Sequence, residues 1–568
     1  MTGLADPFLS PALLVYPPLL FLIGNVLVYI LNTFRPKAFP PGPRGLPGLG
    51  NLLQVDRTFP FLTYGAWAEH YGKDTPLGVK KGSTNVVVLN SGRLVRELLE
   101  RRGAVYSDRP WQFMNNTWVF KDDLRAAIFQ NSSPWLSRWR REFNNNFGTA
   151  AIARLRPVYE AEAARLLVKL IGWWSSPAAR RRERLEAVLV CWMMSVPTLA
   201  VCGKRPDCMG DHGFEIRQFR RCSDEYAALV APNALDLFPV LRHLPEFLGM
   251  AGWKERARAV REAVFRTGSQ FLSAAEEQRA ALDAGRPVGW ESMLAKMLRE
   301  QREQDDDDDD DDDMYTAADM GNTAFHIVSA ATNTSLAVFS IMLMILAKYP
   351  ALQRRVRDEV LQVAGGAAPQ GTDVPSLKYT EAFWNEVHRW RPVAPQAVPH
   401  APSQDDIYNG HRIPKGTAVV INVWHIHHSE DDYEEPGRFM PERFLKHPYG
   451  MRLDEAHDPA HMEASMSRVT YDFGAGRRIC PGMNSARQNL LLGFAKVVWA
   501  FDILPPEGKD IDLSLETGFV QEIALHPRDF DVILEPREGI TEQDVMDHYS
   551  EAYEAEAQVM GWEDGLYK

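Results

Sequence analysis

The stretch that decides the fold lies near the C-terminal end and reads Phe473-Gly474-Ala475-Gly476-Arg477-Arg478-Ile479-Cys480-Pro481-Gly482. It is a glycine-rich turn with one cysteine, an arginine two residues before that cysteine, and a helix-like run after it. A cysteine thiolate can ligate haem iron directly, and as an axial ligand it favours O–O cleavage. Glycines let such a turn lie close to a flat macrocycle because they lack Cβ atoms. Backbone N–H groups in the turn can moderate the charge on sulfur.

Two interpretations of Cys480 are open: a structural thiol before a Pro-Gly turn, or a metal ligand. The full spacing Phe-x-x-Gly-x-Arg-x-Cys-x-Gly, met by Phe473, Gly476, Arg478, Cys480 and Gly482, favours the ligand. The fork of donors on Arg478 suits a haem propionate. This stretch resembles the haem-binding loop of the cytochrome P450 family. The resemblance implies a mainly α-helical fold with a small β subdomain, and haem b held by Cys480 as the axial iron ligand.

Composition places the chain among large folded proteins. Of 568 residues, 45% are hydrophobic and 24% are charged, which supplies ample material for a core. The formal net charge is −12, but the run Asp305–Asp313 supplies nine of the negative charges, so the remainder is close to neutral. No basic excess indicates nucleic-acid binding. The five cysteines are odd in number and lack framework spacing, which predicts reduced thiols in a cytosol-facing protein.

An uncharged apolar run covers residues 12–31 and is about as long as a helix that crosses the hydrocarbon core. Arg35 and Lys37 follow it, and the positive-inside rule puts that end in the cytosol. A cleaved signal peptide is the alternative, but only Asp6 is charged before the run, so the usual basic segment is missing. We expect residues 1–35 to be a retained single-pass anchor in the endoplasmic reticulum membrane, with the catalytic domain in the cytosol.

The remaining chain divides into a hinge and one large domain. Residues 36–51 are rich in proline and glycine and predict a short, stiff hinge. Residues 52–568 are expected to form one haem-thiolate catalytic domain. Within it, residues 303–314 predict a disordered acidic insertion, because adjacent like charges repel each other. Residues 540–568 have apolar side chains at helical spacing and predict an amphipathic tail without a catalytic role.

Glu386 and Arg389 form a Glu-x-x-Arg pair, which places both side chains on one face of a helix. Alone this is a weak signal, since most such pairs are solvated surface contacts. Downstream, Pro441-Glu442-Arg443-Phe444 supplies a second arginine. In the family, such a glutamate and two such arginines form a buried network that braces the haem side of the core. The resemblance carries this structural role to Glu386, Arg389 and Arg443.

Two further residues correspond to propionate contacts of the family. His400 ends the stretch Val398-Pro399-His400 before a predicted strand, with an ordinary loop histidine as the alternative. Trp139 fits a helix that usually reads Trp-x-x-x-Arg, and its indole N–H can donate one hydrogen bond. A plain core aromatic is the alternative for Trp139. Phe143 occupies the place of the arginine, so one propionate contact is missing or is supplied by a neighbour.

A long helix is predicted from Thr316, which forms an approximate capping box with Asp319. It contains Ala330-Ala331-Thr332-Asn333-Thr334-Ser335, which resembles the oxygen-binding segment Ala-Gly-x-acid-Thr-Thr of the family. Thr334 keeps the hydroxyl that steadies dioxygen and helps deliver protons; a hydroxyl bonded back to its own helix is the alternative. Asn333 replaces the acid and cannot ionise. We therefore expect proton delivery to depend on Thr334 and ordered water, with slow turnover or leakage to peroxide.

Family position also indicates where substrate and electron donor bind. An apolar pocket is expected from residues 111–120, the region of Phe238, residues 393–398 and Phe519. A basic surface for an acidic reductase is expected from four arginines near the cysteine loop. They are Arg138, Arg140, Arg141 and Arg477.

The function that the resemblance implies is monooxygenation of a small lipophilic substrate, such as an aromatic polyketide of fungal secondary metabolism. O2 is the oxidant, and electrons come from NADPH through cytochrome P450 reductase, with cytochrome b5 as a second donor. No Gly-x-Gly-x-x-Gly fingerprint follows a strand, so the reductase is expected to be a separate chain. One alternative is a haem-thiolate isomerase or dehydratase that needs no reductase. Another is a non-enzymatic haem- or lipid-binding membrane protein.

Overall fold

The computed structural model describes residues 11–561 apart from short internal segments. The residues outside the description are 1–10, 122–123, 175–180, 207–215, 232, 244–251, 287, 306–314, 460–467, 523, 529 and 562–568. The start of the predicted anchor, most of the acidic insertion and the end of the tail lie among these undescribed residues.

Helices dominate the described chain, as the sequence predicts. The α-helices are α1 (Pro11–Asn32), α2 (Pro60–Tyr71), α3 (Gly92–Val95), α4 (Pro134–Phe147), α5 (Thr149–Arg154), α6 (Arg156–Trp174), α7 (Arg181–Cys202), α8 (Ile216–Val230), α9 (Ala234–Leu237), α10 (Trp253–Asp283), α11 (Met293–Asp305), α12 (Ala317–Lys348), α13 (Pro350–Val363), α14 (Lys378–Trp390), α15 (Val423–His427), α16 (Arg443–Lys446), α17 (Met483–Ala500), α18 (Leu515–Gly518) and α19 (Glu542–Met560). Shorter 3₁₀ or π-helical turns cover Arg96–Arg101, Met114–Val119, Pro239–His243, Val374–Ser376, Glu455–His457 and Gly476–Arg478.

The strands form small sheets beside this helical body. They are β1 (Leu77–Lys81), β2 (Thr84–Leu89), β3 (Asp406–Tyr408), β4 (His411–Ile413), β5 (Ala418–Ile421), β6 (Phe501–Leu504), β7 (Phe519–Gln521), β8 (Leu525–Pro527) and β9 (Ile533–Pro536). β2 lies between an antiparallel β1 and a parallel β5, with Val86 opposite Ala418. The pairs β3–β4, β6–β9 and β7–β8 are antiparallel. This small β part beside a large helical part agrees with the expected architecture.

Helix α12 crosses the centre of the helical body and packs against α7, α10, α14 and α17. Its predicted capping box is confirmed: Thr316 Oγ1 accepts from the Asp319 N–H at 3.0 Å, and the Thr316 N–H donates to Asp319 Oδ2. Gly268 of α10 and Gly321 of α12 lie at a point of close backbone contact. A Cβ on Gly268 would come within 2.7 Å of the Gly321 carbonyl, so only glycine allows the two helices to cross this closely.

The predicted acidic insertion is wrong at its N-terminal edge. Residues 303–305 belong to α11, which ends at Asp305. The preceding turns of α11 are anchored by buried side chains, among them Leu294 and Met297, so the helix extends into the first charges before repulsion accumulates. The remaining residues, 306–314, lie outside the description.

Helix α1 is uncharged over its whole length, and its described apolar side chains lie exposed on the protein surface. They are Leu20, Ile23, Val26, Leu27, Val28 and Leu31. The end of the helix is tied to the hinge, because Tyr29 Oη donates to the Gly48 carbonyl at 2.6 Å. Among the described residues, two segments, Leu185–Cys202 and Ala317–Lys348, are long and apolar enough to span a membrane, but most of their residues are buried in the protein core. The described apolar stretch of α1, Ile23–Asn32, is shorter.

Helix α19 forms part of the folded body. It packs along α6, and Arg205 bridges the two helices through Glu162 of α6 and Glu556 of α19, each at 2.5 Å. All three side chains are largely buried. The Gly289 N–H also donates to the carbonyl of Met560 at 3.1 Å. The predicted amphipathic tail is therefore a docked helix from Glu542 to Met560.

Among the described cysteines, Cys191 departs from the expectation of reduced thiols. Cys191 is disulfide-bonded, whereas Cys202, Cys222 and Cys480 are free. A disulfide requires that the fold bring two cysteines to Cα distances of about 4.4–6.8 Å. Spacing along the chain does not show this proximity, so the sequence could not predict it.

Candidate active site around Cys480

The cysteine loop is held as a closed turn that ends at the start of α17. The Cys480 N–H donates to the Phe473 carbonyl at 2.8 Å, and the backbone N–H groups of Gly482 and Met483 point to Sγ. The Cys480 side chain is accessible to solvent, yet protein atoms surround it closely. Cys480 therefore lies on the wall of a recess.

Some features around Cys480 raise the pKa of its thiol, and others lower it. Burial raises the pKa of the thiol above its ordinary value. The N–H groups of Gly482 and Met483 and the Arg140 guanidinium lower it, because each favours the thiolate. A metal cation bound at Sγ would also favour the thiolate, since a coordinating thiol is deprotonated.

Neighbouring residues fix the loop against α14 and the segment that follows it. The Asp472 carboxylate accepts from the backbone N–H groups of Val393 and Ala394 at 3.1 and 2.6 Å. His388 Nδ1 lies 2.6 Å from Asp472 Oδ2, and the His388 ring packs on Phe473 at 4.9 Å between centroids. These contacts set the position of the loop, and Phe473 has a packing role within them.

Glycine is required at one position of the loop for two reasons. Gly476 has φ +62°, and a Cβ there would overlap the Leu99 carbonyl oxygen. Gly482 has an ordinary φ, and a Cβ there would lie 3.8 Å from the Phe143 ring and 3.9 Å from Cys480 Sγ. Gly476 therefore permits the turn, whereas Gly482 keeps the space beside sulfur open.

Three arginines gather on the other side of the loop. Arg478 donates from Nε to the Ser107 carbonyl at 2.7 Å and from its Nη atoms to Ala127 and Gln130. Arg109 donates to the carbonyls of Ile128, Val398 and Pro399, and Arg140 donates to Ile479 at 3.0 Å. In the described part of the chain, none of the three forms an ion pair with a carboxylate.

This cluster of cations is electrostatically unfavourable as it stands. Burial, followed by repulsion from Arg478 and Arg140, lowers the pKa of Arg109 to about 9. Burial and repulsion from Arg140 lower the pKa of Arg478 to about 10. Buried charges are normally paired, so the cluster is suited to bind a ligand that carries carboxylates.

His400 lies next to this cluster. Its Nδ1 is 2.8 Å from the Tyr106 carbonyl, which can only accept, so Nδ1 carries the proton. Burial and then the charge of Arg109 lower the pKa of His400 to about 3, so the ring is neutral at pH 7. To bind a carboxylate through Nε2, His400 must gain a second proton, which a carboxylate at that position would favour.

Trp139 and Phe143 lie on consecutive turns of α4, with ring centroids 5.3 Å apart. Trp139 Nε1 is buried and has no hydrogen-bond partner among the described residues. Phe143 packs beside Gly482. Arg109 and Arg140 supply cations in the same neighbourhood, which fits the expectation that a neighbour replaces the arginine missing at position 143.

These groups fit a haem. The accessible thiol with two N–H groups at sulfur is suited to an axial ligand. The unpaired arginines and the free indole N–H match the two propionates. Cys480 would hold the iron, and Arg478, Arg109, Arg140 and Trp139 provide donors for the carboxylates.

Helix α12 presents one accessible strip in an otherwise buried stretch. Ala330 and Thr334 are exposed and His326, Ala331 and Asn333 are half-buried, whereas their neighbours toward the other side are buried. Residues four apart lie on one helix face. The strip therefore lines an internal space, and the family's oxygen-binding segment is part of it.

Hydrogen bonds show how the two polar residues of this strip are held. Thr334 Oγ1 donates to the Ala330 carbonyl at 2.8 Å, which is the alternative that the sequence left open. This bond leaves the lone pairs of Oγ1 free to accept. Asn333 Nδ2 donates to Ser223 Oγ of α8 at 2.9 Å, and Ser223 Oγ lies 2.5 Å from Ser329 Oγ. The amide of Asn333 is therefore fixed against α8.

Glu386, Arg389 and Arg443 meet in the core beneath the site. Arg389 donates to both carboxylate oxygens of Glu386, and Arg443 Nε lies 3.1 Å from Glu386 Oε2. Glu386 and Arg389 are fully buried and Arg443 is nearly so. Arg389 also donates to the carbonyls of His427 and Pro436. The network ties α14 to the segment before the cysteine loop.

One sequence-based placement is wrong, and the surroundings of two other residues depend on contacts that the sequence did not show. Arg140 does not belong to an exposed basic surface, because it is half-buried and donates to the cysteine loop. Trp111 is 60% exposed, and the Arg242 guanidinium lies 5.4 Å from its ring centroid. Phe238 contacts Tyr29 of α1 at 6.0 Å between ring centroids. In each case contacts remote in sequence decide the position.

The sequence analysis assigned no site role to Arg109 or Ser223. The only local signal for Arg109 is its Arg-Pro dipeptide after Tyr106-Ser107-Asp108. Nothing in the sequence around Ser223 indicates its contact with Asn333, which lies 110 positions away.

Comparison with known proteins agrees with the haem-thiolate site described above. A family model described as Cytochrome P450 matches residues 40–534. The curated "Cytochrome P450 monooxygenase grgG" of Penicillium sp is 76% identical over 568 residues, which is 100% of both chains. "Cytochrome P450 monooxygenase 105" of Postia placenta is 28% identical, covering 93% of this chain and 95% of its own. "Cytochrome P450 monooxygenase patI" of Penicillium expansum is 27% identical, covering 97% and 98%. The chain belongs to the cytochrome P450 family and is a monooxygenase.

Proposed function

We propose that this monooxygenase inserts one oxygen atom from O2 into a small lipophilic fungal secondary metabolite, such as an aromatic polyketide. The second oxygen atom leaves as water, and two electrons come from NADPH through a separate cytochrome P450 reductase, with cytochrome b5 as a second donor. The observation that carries the proposal is the accessible Cys480 thiol with N–H groups of Gly482 and Met483 at sulfur.

The bound haem would activate dioxygen. The residues of the chain would position the haem and the substrate and would supply protons. Cys480 would supply the thiolate, and Arg478 and Trp139 would orient the macrocycle through its carboxylates. His400 and Arg109 would complete that contact. Because residue 482 is a glycine, no side chain from that position occupies the space beside the Cys480 sulfur.

On the distal side, Thr334 would hold a proton-carrying water at Oγ1, because its own proton is bonded to Ala330. Asn333 can orient water but cannot release a proton. Its amide is also committed to Ser223. We expect delivery of the proton to be the slow or leaky step of turnover.

The membrane and the reductase would meet the protein on different surfaces. Helix α1 presents exposed apolar side chains and would anchor the protein in the endoplasmic reticulum membrane. Arg141 and Arg477 are the exposed members of the arginine group near the cysteine loop. They would contribute to the surface that an acidic reductase approaches.

A spectrum and an activity assay test the proposal. The reduced, carbon-monoxide-bound protein should show the red-shifted Soret band of thiolate ligation, and Cys480→His should abolish it. Cys202→Ala is the matched control, since Cys202 is a free, buried cysteine on α7. Extracts that contain pathway intermediates should be oxidised only with NADPH and reductase. Turnover without NADPH would instead support the isomerase or dehydratase, and ligand binding without oxygen consumption would support a binding protein.

A further inference from the structure

His326 and Tyr226 form a polar pair inside an aromatic cluster near the accessible strip of α12. Their rings lie in edge contact, with centroids 5.2 Å apart and planes at 88°. His326 Nε2 and Tyr226 Oη are both buried, and neither has a hydrogen-bond partner within the described residues. Buried polar atoms are hydrogen-bonded in the large majority of cases. Two such atoms without partners, on rings that are in contact, therefore indicate a ligand.

The protonation of the pair follows from its contacts. His326 Nδ1 lies 2.7 Å from the Asn322 carbonyl, which can only accept, so Nδ1 carries the proton and Nε2 is an acceptor. Burial lowers the pKa of His326 to about 4, which keeps the ring neutral at pH 7. Burial raises the pKa of Tyr226 well above its ordinary value, so its hydroxyl remains a donor. The pair offers one acceptor and one donor.

The position of the pair relates it to the site of oxidation. His326, Ala330 and Thr334 follow each other at four-residue intervals and share the accessible face of α12. Eight residues of helix separate His326 from Thr334 by about 12 Å along the axis. Phe120 packs on both rings, with centroids 5.4 Å from His326 and 6.0 Å from Tyr226. The surroundings are therefore flat and apolar except for the two polar atoms.

One functional group satisfies both atoms. A hydroxyl donates to Nε2 and accepts from the Tyr226 hydroxyl, whereas a carbonyl or ether can only accept. A carboxylate would bring a charge to a neutral, buried pair and no proton for Nε2. We propose that His326 and Tyr226 form a subsite for a phenolic or alcoholic hydroxyl of the substrate, about 12 Å along α12 from Thr334. This inference rests on the proposed function.

Matched probe ligands test the subsite in the full-length holoenzyme. The probes are 4-phenylphenol, which can donate, and 4-methoxybiphenyl, which can only accept; binding is followed by the shift of the haem Soret band. We expect 4-phenylphenol to bind about tenfold more tightly, the effect of one hydrogen bond. His326→Phe should reduce this preference to nearly one, because Nε2 accepts the hydrogen bond that only 4-phenylphenol can donate. Tyr226→Phe should weaken both probes alike, since the oxygen of each accepts from the Tyr226 hydroxyl. His326→Gln should restore part of the preference, because an amide oxygen can accept.

Tyr64→Phe is the matched control. It also removes a buried hydroxyl without a partner in the described chain, but in a different hydrophobic cluster, and should leave the preference unchanged. A water held between His326 and Tyr226 predicts no preference in the wild type. Wild-type protein that binds both probes equally, or binds neither, contradicts the subsite, as does a preference that survives His326→Phe or an unchanged affinity for both probes in Tyr226→Phe.

The reduced carbon-monoxide spectrum and NADPH-dependent oxygen consumption of the same preparations separate the two proposals. If His326→Phe keeps the normal spectrum and turnover and also keeps the wild-type preference for 4-phenylphenol, the subsite is rejected and the proposed function stands. A wild-type protein without thiolate ligation or NADPH-dependent turnover rejects the proposed function. A phenylalanine variant that loses the spectrum is misfolded, and the decision then rests on the other phenylalanine variant and on His326→Gln.

Discussion

Arg389 binds both carboxylate oxygens of Glu386, with Nε and Nη2 at 2.7 and 2.8 Å, and neither side chain is exposed to solvent. Removing one partner leaves an uncompensated buried charge, which costs about 3–5 kcal/mol. We expect Glu386→Gln to lower the denaturation midpoint strongly and to reduce the haem content of purified protein. Absorbance at the Soret band relative to protein measures that content.

The exposed pair Arg438–Glu435, at 3.1 Å, is the control for this network. It has the same i,i+3 spacing as Glu386–Arg389, but both of its side chains are more than half exposed. Arg438→Ala should cost less than about 1 kcal/mol, since solvent screens surface ion pairs. Equal haem content in Glu386→Gln and Arg438→Ala would contradict a structural role of the buried network.

Asn333→Asp restores an ionisable group at the position where the family carries an acid. Ser223 can then donate to the new carboxylate, so the contact with α8 survives the change. We expect more product per NADPH and less peroxide, with a rate gain of about tenfold, below the roughly 100- to 10,000-fold of a fully positioned acid or base. Product, NADPH and peroxide measured together check this prediction. Unchanged coupling and rate would show that the acid position is irrelevant in this enzyme.

The burial of the His427 ring predicts that the folded protein loses stability in mild acid. Burial lowers its pKa to about 3 in the folded state, from an ordinary value of 6.5. Between these values the unfolded chain binds more protons, so the free energy of unfolding falls as the pH decreases from 6.5 toward 3. The share of His427 is about 2 kcal/mol between pH 6.5 and 5. Urea midpoints measured across this range test the slope.

His427→Gln should reduce that slope by the share of His427, because an amide does not titrate in this range; His400 and His326 keep their own shares. The glutamine oxygen can replace Nε2 as acceptor for the Tyr471 N–H, which lies 3.1 Å away. A slope that His427→Gln does not alter would contradict the assignment.

Removal of residues 1–32 should shift the protein from the membrane fraction to the supernatant after high-speed centrifugation. The deletion removes the exposed apolar side chains of α1. It keeps Arg35, which donates to the Gly78 carbonyl at 2.6 Å and holds the hinge on β1. Leu453→Ser, which removes an exposed leucine outside α1, should stay in the membrane fraction. A truncated protein that remains with the membrane would show that another surface binds it.

The parts of the fold that the sequence could predict are those set by local chemistry. The capping box of Thr316 and Asp319 depends on a spacing of three residues and is present as expected. The turn around Cys480 depends on glycine conformations that few other residues adopt, which makes its pattern specific. Glu386 and Arg389 are also close in sequence, and Arg443 was added to them only by resemblance.

The parts that the sequence could not predict depend on residues that are distant in the chain. Arg109 contacts the carbonyl of Pro399, 290 positions away, and this contact places it among the propionate donors. Arg140 has the same charge as a surface arginine, and only the packing of α4 against the cysteine loop buries it. His326 is a further example. Its proposed role depends on Nε2, which has no hydrogen-bond partner in the described chain, and on the contact of its ring with Tyr226.

Similarity to the family model ends at residue 534, but the folded unit does not. A recombinant version trimmed at that boundary would lack α19, and Arg205 would lose Glu556 while keeping Glu162. The apolar surface of α6 that α19 covers would face solvent and favour aggregation. Heterologous production therefore needs the chain through at least Gly561, with any purification tag placed beyond it.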